Sequence, residues 1–381
     1  MLEFQWLQNP SVQKLIQALR VRGVEPYFVG GCVRNSLLNI PISDIDIATA
    51  TLPLDVDKYC RDAGFKTIPT GLDHGTITVL VDDQPFEITT FRKDVATDGR
   101  RATVAFSTDM IEDARRRDFT MNALYVDADG ALFDPLNGLG DITSRRIRFI
   151  GTAMNRIRED YLRILRYFRF HAYYADPEQG FDSVSLDACH RGIEGISTLS
   201  KERIGHEMRK LLAAPDPSPA LATMQTIGLL PAILTGGTAK FIAPLVHLEA
   251  GHPAHWLARL FVLGGEDIQK SLCLSKAENR MLDQLRTATA IGYAPPRAGY
   301  ILGRSLARAY YLALSAMTET PPAPDYMAAI ELGAAHQRRF PVRAADLGRD
   351  LRGPEIGARL AELEERWIYS DFSLSKEALL T

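Results

Sequence analysis

Cysteine is sparse in this chain and carries no pattern: Cys32, Cys60, Cys189 and Cys273 are scattered over 381 residues without a Cys-x-x-Cys pair. That excludes a disulfide framework or a thiolate zinc site and suits a reducing compartment, with all four expected to be small buried hydrophobes. Long apolar runs are also missing. No stretch reaches the roughly 18 apolar residues of a membrane span, and the N-terminus lacks a basic leader followed by an apolar core and a cleavage site. A cytoplasmic protein without a membrane partner is expected. Nor is there an excess of positive charge, since 44 Lys and Arg against 47 Asp and Glu leave a net charge of −3. Proteins that coat nucleic acid are basic throughout, so any contact with RNA here must use a local patch. Internal repeats and low-complexity tracts are absent too, which argues against a solenoid. His247, His252 and His255 gather near a proline-containing turn, but no Cys or carboxylate stands at ligand spacing, so packing is expected there rather than a metal. No His-Asp phosphohydrolase pair is evident, and no second catalytic domain is expected.

With 46% hydrophobic residues, the chain can build two to four packed units. Its first 150 or so residues mix periods. A helix is expected around residues 10–22 and another through Leu37 and Leu38, with strands at Tyr27–Val29, Ser43–Ala48, Gly75–Val81, Pro85–Phe91 and Ala123–Val126, the last before the turn Asp129-Gly130. From about Met154 the pattern becomes a succession of amphipathic helices, broken at Pro215–Pro219, Pro295-Pro296 and Pro321–Pro324. The expected division is 1–150, 151–212, 213–295 and 296–381. Eight arginines fall between Arg145 and Arg169. Asp160, Arg163, Arg166 and Arg169 follow one another at three-residue steps and would spread over one broad side of a helix, leaving Leu162, Ile164, Leu165 and Phe168 to pack.

The chemistry concentrates in Tyr27-Phe-Val-Gly-Gly-Cys-Val-Arg-Asn35 followed by Ser43-Asp44-Ile-Asp46-Ile-Ala. Two carboxylates at i and i+2 of a strand share a face and suit one or two hard cations. In-line phosphoryl transfer needs such a pair, with magnesium lowering the pKa of the attacking hydroxyl and neutralising the leaving pyrophosphate. Gly30 and Gly31, just before a helix, permit close approach of backbone to a triphosphate. A third carboxylate is expected on a neighbouring strand, where Glu87 alternates to the side of Thr89.

The run GGCVRN…SDIDIAT resembles the signature of class II tRNA nucleotidyltransferases and bacterial poly(A) polymerases, members of the polymerase β superfamily. RRRDFTMNALYVD (115–127), FDPLNGLGDI (133–142), REDYLRILRYFRF (158–170) and LSKERIGHEMRKLL (199–212) are similar to four further motifs of that family, in its order. The resemblance implies an α/β polymerase-β-like nucleotidyltransferase head followed by an all-α neck, body and tail. It implies that Asp44 and Asp46 bind Mg2+ and carry catalysis; Glu87, expected beside them from its strand position alone, is either the third catalytic carboxylate or a solvent-facing strand glutamate. Gly30, Gly31 and Arg34 would contact nucleotide phosphates; Arg117 and Asp118 would hold ribose and triphosphate, with Asn122 nearby. Asp160 and Arg163 would read the Watson–Crick edge of the incoming base, a carboxylate accepting from the exocyclic amine of C or A and a guanidinium donating to its neighbour. Arg166 and Arg169 would support that reader. CTP and ATP are the implied substrates and tRNA the partner, with a C,C,A end as product; poly(A), CC-only or A-only addition share every motif quoted. A catalytically silent RNA-binding protein of the same fold is the alternative of another class. Arg92, Asp94, Asp98, Arg100 and Arg101 resemble the family's flexible loop, although a plain polar loop fits them equally. The run Ala344–Trp367, with Gly353-Pro354 before Ile356 and Leu360, resembles the tail that holds the tRNA elbow. Two departures stand out: Asn35 replaces the usual Asp after Arg34, and Tyr161 replaces a small residue or proline.

Overall fold

The computed structural model describes residues 4–98, 101–347 and 352–381. They form two compact units, one through Leu199 and one from Ser200 onward.

The first unit begins with α1 (Pro10–Arg20). Asn9 caps it by accepting from the Ser11 amide at 2.9 Å, and Pro10 supplies a preset φ. Val12, Leu15, Ile16 and Leu19, at helical spacing, are its buried face. α2 (Gly31–Leu37) and α3 (Pro53–Asp62) follow, the latter burying Val56 and Cys60 one turn apart.

A seven-stranded mixed sheet runs in the order β3 (Lys66–Gly71), β4 (Thr76–Val81), β5 (Gln84–Thr90), β2 (Asp46–Thr49), β1 (Tyr27–Val29), β8 (Tyr125–Asp127), β9 (Leu132–Phe133). Register lines up Val126, Phe28, Ile47, Ile88 and Ile77 as consecutive partners across five strands. All five are buried, and each contributes about 1.5–3 kcal/mol through its removal from water. The next row, which by alternation faces the other way, reads Tyr125, Val29, Asp46, Glu87, Thr78. The carboxylates of Asp46 and Glu87 therefore sit in a sheet whose opposite face is anchored by an apolar row.

A separate hairpin, β6 (Arg92–Asp98) with β7 (Arg101–Phe106), occupies the polar segment, where only a loop was expected. Asp94, Asp98 and Arg101 have side chains outside the described set, and Arg100 lies outside the described residues. Beyond it come α4 (Met110–Arg115), α5 (Leu139–Thr143), α6 (Ala153–Glu159), α7 (Leu162–Tyr174) and α8 (Ser183–Arg191). Ile164, Leu165, Tyr167, Phe168 and Phe170 form the buried side of α7.

The second unit is helical: α9 (Lys201–Leu212), α10 (Ser218–Thr226), α11 (Leu229–Ile233), α12 (Ile242–Leu248), α13 (Trp256–Leu263), α14 (Ile268–Ser271), α15 (Lys276–Ile291), α16 (Pro295–Thr318), α17 (Tyr326–Ala335), α18 (Pro354–Tyr369) and α19 (Lys376–Leu380). The expected proline breaks separate α9 from α10, α15 from α16, and α16 from α17. Ser275 and Glu278 close a reciprocal cap at the start of α15, and the Glu278 carboxylate also receives Arg209 Nε at 2.7 Å and Nη2 at 2.8 Å. Arg259, 1% exposed, donates to Glu249 at 2.9 Å and to the carbonyls of Leu212, the last residue of α9, and of Ala214 and Pro215 just beyond it. Where α16 crosses α17 the backbones touch: a methyl group on Gly299 would stand 2.1 Å from the Ile330 carbonyl oxygen, and one on Gly333 1.8 Å from that of Pro296. The tail packs Val342, Leu363, Trp367, Ile368, Phe372 and Leu379 into its own core.

One expectation about cysteine fails. Cys32, Cys60 and Cys189 are buried, but Cys273 is exposed, in a left-handed turn (φ 47°) ahead of α15, its thiol 3.6 Å from Glu202. Among the described residues no helix is long and apolar enough to cross a membrane.

Candidate active site

The strand carrying the two carboxylates is shorter than its alternation predicts. β2 starts at Asp46, and Asp44 lies in the exposed approach to it, so the two do not share a strand face by alternation. The physical reason is pairing: β2 finds ladder partners only from Asp46 onward, opposite Val29 on one side and Glu87 on the other. Asp44 is held locally, accepting from Ser43 Oγ at 2.9 Å. It is still close enough for its charge to act on Asp46. Burial pushes the Asp46 carboxyl up to about 6, and the charges of Glu87 and Asp44 add to the rise, against Arg117 and Arg34.

Gly30 closes one side of this site. Its φ of 76° is a left-handed conformation that glycine adopts without strain. A methyl group there would stand 3.7 Å from Arg117 Nη1 and 3.9 Å from Asp46 Oδ2. Gly30, the Asp46 carboxylate and the Arg117 guanidinium therefore meet at one point, although they lie far apart in sequence.

A carboxylate that burial and like charge hold above its ordinary value fits a divalent cation, which would relieve the repulsion. Among the described residues, no group of three or more His, Cys, Asp and Glu side chains could hold a metal alone. Glu87, exposed beside Asp46 in the ladder, does not complete such a set. One or two carboxylates can still hold a hard divalent cation whose shell is completed by substrate phosphates and water.

The nearby arginines in this unit are held by neighbouring side chains. Arg34 is buried; Nη1 donates to Asn122 Oδ1, Nη2 to Tyr174 Oη at 2.9 Å, and its guanidinium lies 4.2 Å from the Tyr174 ring centre. Asn122 Nδ2 donates to Asp118 Oδ1 at 2.8 Å, and Arg166 Nε to Asp118 Oδ2 at 2.8 Å. Burial alone would raise the Asp118 carboxyl, but Arg166, Asn122 and the Phe119 amide outweigh it and hold it well below the usual range. One chain of hydrogen bonds thus runs Arg166, Asp118, Asn122, Arg34. Arg169 sits over the Phe170 ring at 4.9 Å, and its charge reaches Arg34.

Arg117 is fixed by Asp113 at 3.0 Å and by the Tyr125 hydroxyl at 3.2 Å; Asp113 also receives Arg116 Nε at 2.8 Å and the Tyr125 hydroxyl at 2.7 Å. Asp113 and Tyr125 were not expected. The i+3 and i+4 spacing of Asp113 to Arg116 and Arg117 was visible, whereas nothing local marks Tyr125.

Asp160 does not belong to the helix of Arg163. It stands between α6 and α7 with extended backbone (φ −158°) and accepts from the Leu162 amide at 3.1 Å. A carboxylate ahead of the first helical amides satisfies donors that would otherwise be orphaned, and this bend ends the three-residue series. Arg163 Nη1 donates to the Arg156 carbonyl at 2.7 Å and to Glu159 at 2.5 Å, so Glu159 joins Asp113 and Tyr125 as a neighbour not singled out from the sequence. Tyr161 is turned onto Gly195, where an added methyl would meet its ring at 2.1 Å. FDPLNGLGDI has a structural part: Asp134 accepts from the Gly138 and Leu139 amides at 2.7 and 2.9 Å, and Asp141 from Arg148 Nε at 2.9 Å.

Comparison with known proteins identifies the family. Residues 26–148 match the family described as the poly A polymerase head domain, and residues 181–240 one described as the "probable RNA and SrmB-binding site of polymerase A". The chain is 38% identical over 272 residues to the CCA-adding enzyme of Streptococcus gordonii, covering 69% of this chain and 66% of that one. Among solved structures, the CCA-adding enzyme of Bacillus stearothermophilus in complex with CTP superposes with a TM-score of 0.75 at 28% identity, covering 97% of this chain and 95% of that one. The mitochondrial CCA tRNA nucleotidyltransferase 1 of Mus musculus is 31% identical over 402 residues, 100% of this chain and 91% of that protein. Because that likeness spans the whole sequence and includes the head on which the site is built, the chain belongs to the CCA tRNA nucleotidyltransferase family.

Proposed function

We propose that the protein adds C and A nucleotides to the 3′ end of tRNA without a template, using CTP and ATP, with Mg2+ held by Asp44 and Asp46. The observation that carries this reading is the meeting of Gly30, Asp46 and Arg117 beside Glu87. A bound magnesium pair would lower the pKa of the attacking hydroxyl and neutralise the departing pyrophosphate.

The remaining work falls to side chains. Gly30 and Gly31 let the triphosphate approach the backbone, and Arg34 and Arg117 bind it with planar donor forks held rigid by Asn122, Tyr174, Asp113 and Tyr125. Asp118 and Asn122 orient Arg34 and Arg166. Asp160 and Arg163 read the base, Asp160 accepting from the exocyclic amine of C or A. UTP and GTP would leave a buried group unpaired, the condition under which discrimination becomes large. Arg166 and Arg169 support the reader, and Glu87 adds negative charge beside Asp46. The head, neck, body and tail divide at about residues 150, 212 and 295, the helical part gripping RNA through shape and phosphates. Free thiols at all four cysteines suit the cytoplasm.

The test is incubation of the protein with tRNA lacking its 3′ end and each NTP singly, then CTP and ATP together, reading product length. Two C and one A support the reading, a long A tract points to poly(A) synthesis, and no incorporation to a silent RNA-binding protein. Asp46→Ala is expected to lose incorporation and keep tRNA binding; undiminished incorporation there overturns the assignment.

A further inference from the structure

Resting on that reading, we propose that Asn35 is a positioning residue for Asp44, its amide joining the phosphate-binding Arg34 to the loop that presents the metal-binding carboxylate. Asn35 Oδ1 accepts from Arg34 Nε at 3.1 Å and Nη2 at 2.9 Å, while its Nδ2 donates to the Pro41 carbonyl at 2.8 Å. This bridge requires an amide. A guanidinium only donates and a peptide carbonyl only accepts, so the group between them must accept on one side and donate on the other. A carboxylate at position 35 would serve Arg34 and set an acceptor oxygen against the Pro41 oxygen.

Apart from the Ile40 amide, which donates to the Asn35 backbone carbonyl at 2.8 Å, the loop has little else to hold it. Pro41, Ser43 and Asp44 are exposed, and the chain re-enters the core only at Ile45, 8% exposed. Among the described residues, the Asn35 amide makes the one side-chain hydrogen bond that reaches residues 40–45 from outside, the Ser43 to Asp44 bond being internal. A cleft lined by Trp6, Ser36, Asn39, Pro41 and Ile42 runs along the loop, so packing leaves one side of it open. Asp44 lies three residues beyond the tethered carbonyl. Fixing Pro41 therefore limits where Asp44 can reach, and the same amide ties that position to Arg34 across the site.

The test uses the full chain. Asn35→Asp keeps an acceptor for Arg34 and removes the donor to Pro41. Its half-saturating Mg2+ concentration for CTP incorporation is expected to rise about fivefold, as for one lost hydrogen bond, with kcat restored at high Mg2+ and the KM for CTP within a factor of about two. Mn2+ affinity without RNA or nucleotide, read from the electron paramagnetic resonance signal of the free ion, is expected to weaken in parallel. Asn35→Ala removes both ends of the bridge and should weaken Mn2+ binding as well as raise the KM for CTP. It carries the same metal-affinity prediction should Asn35→Asp not fold, as judged by circular dichroism. Unchanged Mn2+ affinity in the folded variants, or a lost rate that no Mg2+ concentration restores, overturns the proposal. If the unaltered protein incorporates no nucleotide, the functional reading falls instead, while the Mn2+ measurement still decides the role of the loop.

Discussion

The Asn122 amide donates to the Asp118 carboxylate at 2.8 Å, while its oxygen faces Arg34. Asn122→Leu keeps the bulk and removes both bonds, leaving a buried guanidinium and a buried carboxylate each short of a partner. A loss of about 1–3 kcal/mol of stability is expected for such a change. In the proposed reading Arg34 binds the triphosphate, so the KM for CTP and ATP should rise together. Urea denaturation and steady-state kinetics measure the two effects, and an unchanged denaturation midpoint would show that the amide bears no load in the fold.

Asp46 makes the opposite kind of contribution. Its carboxyl is raised to about 6, chiefly by burial and then by Glu87 and Asp44. A carboxyl raised above its unfolded value destabilises the fold wherever it is ionised, above pH 6, and the penalty vanishes as pH falls below about 4. Metal-free Asp46→Asn should therefore be more stable than the parent at pH 7.5, by about 1–2 kcal/mol after allowance for partial solvent screening, and no more stable near pH 4. Melting curves at both pH values check this; a variant less stable at pH 7.5 contradicts it.

In the helical unit, Arg259 and Glu249 are a buried pair at 2.9 Å. Arg259→Met removes one partner and should cost about 3–5 kcal/mol, because the remaining carboxylate is buried without a counterion. Adding Glu249→Leu should recover part of the loss. The remainder reports the carbonyls of Leu212, Ala214 and Pro215 that Arg259 also serves. Full recovery in the double variant would show that those three bonds contribute nothing.

Gly333→Ala places a methyl 1.8 Å from the Pro296 carbonyl oxygen and must drive α16 and α17 apart. Overpacking of this kind costs about 1–3 kcal/mol or more. Gly357→Ala in α18 is the control: its methyl would meet nothing within 4 Å, and alanine favours a helix over glycine by up to about 1 kcal/mol. Melting temperatures should move in opposite directions, and a neutral Gly333→Ala would mean that the crossing is looser than the backbone contact indicates.

Much of the site is legible along the chain because its chemistry is local. GGCVRN, SDIDIA and RRRDFT place the turn, the carboxylates and the arginines within short runs, and the apolar alternation of Phe28, Ile47, Ile77 and Ile88 announces the sheet. The helical half is equally readable from its 3.6-residue period and its prolines. The hairpin of β6 and β7 is harder to read because charged residues interrupt β6 and leave the short alternation of Ala102, Val104 and Phe106 on β7 without an apolar partner strand in sequence. The short β2 escapes it because a strand ends where its ladder partners end, and partners are not written into the strand itself.

The order of amino acids by itself determined which groups are available: two aspartates near a double glycine, a set of arginines, and helices to carry them. Tertiary structure alone decided what each is joined to. Arg34 finds Tyr174 140 positions away and Arg166 finds Asp118 48 positions away, while Asp160 leaves its helix and Asp44 leaves its strand. Periodicity arises from neighbours along the backbone, whereas a charged side chain buried by folding must take whichever partner the packed chain brings within hydrogen-bonding distance.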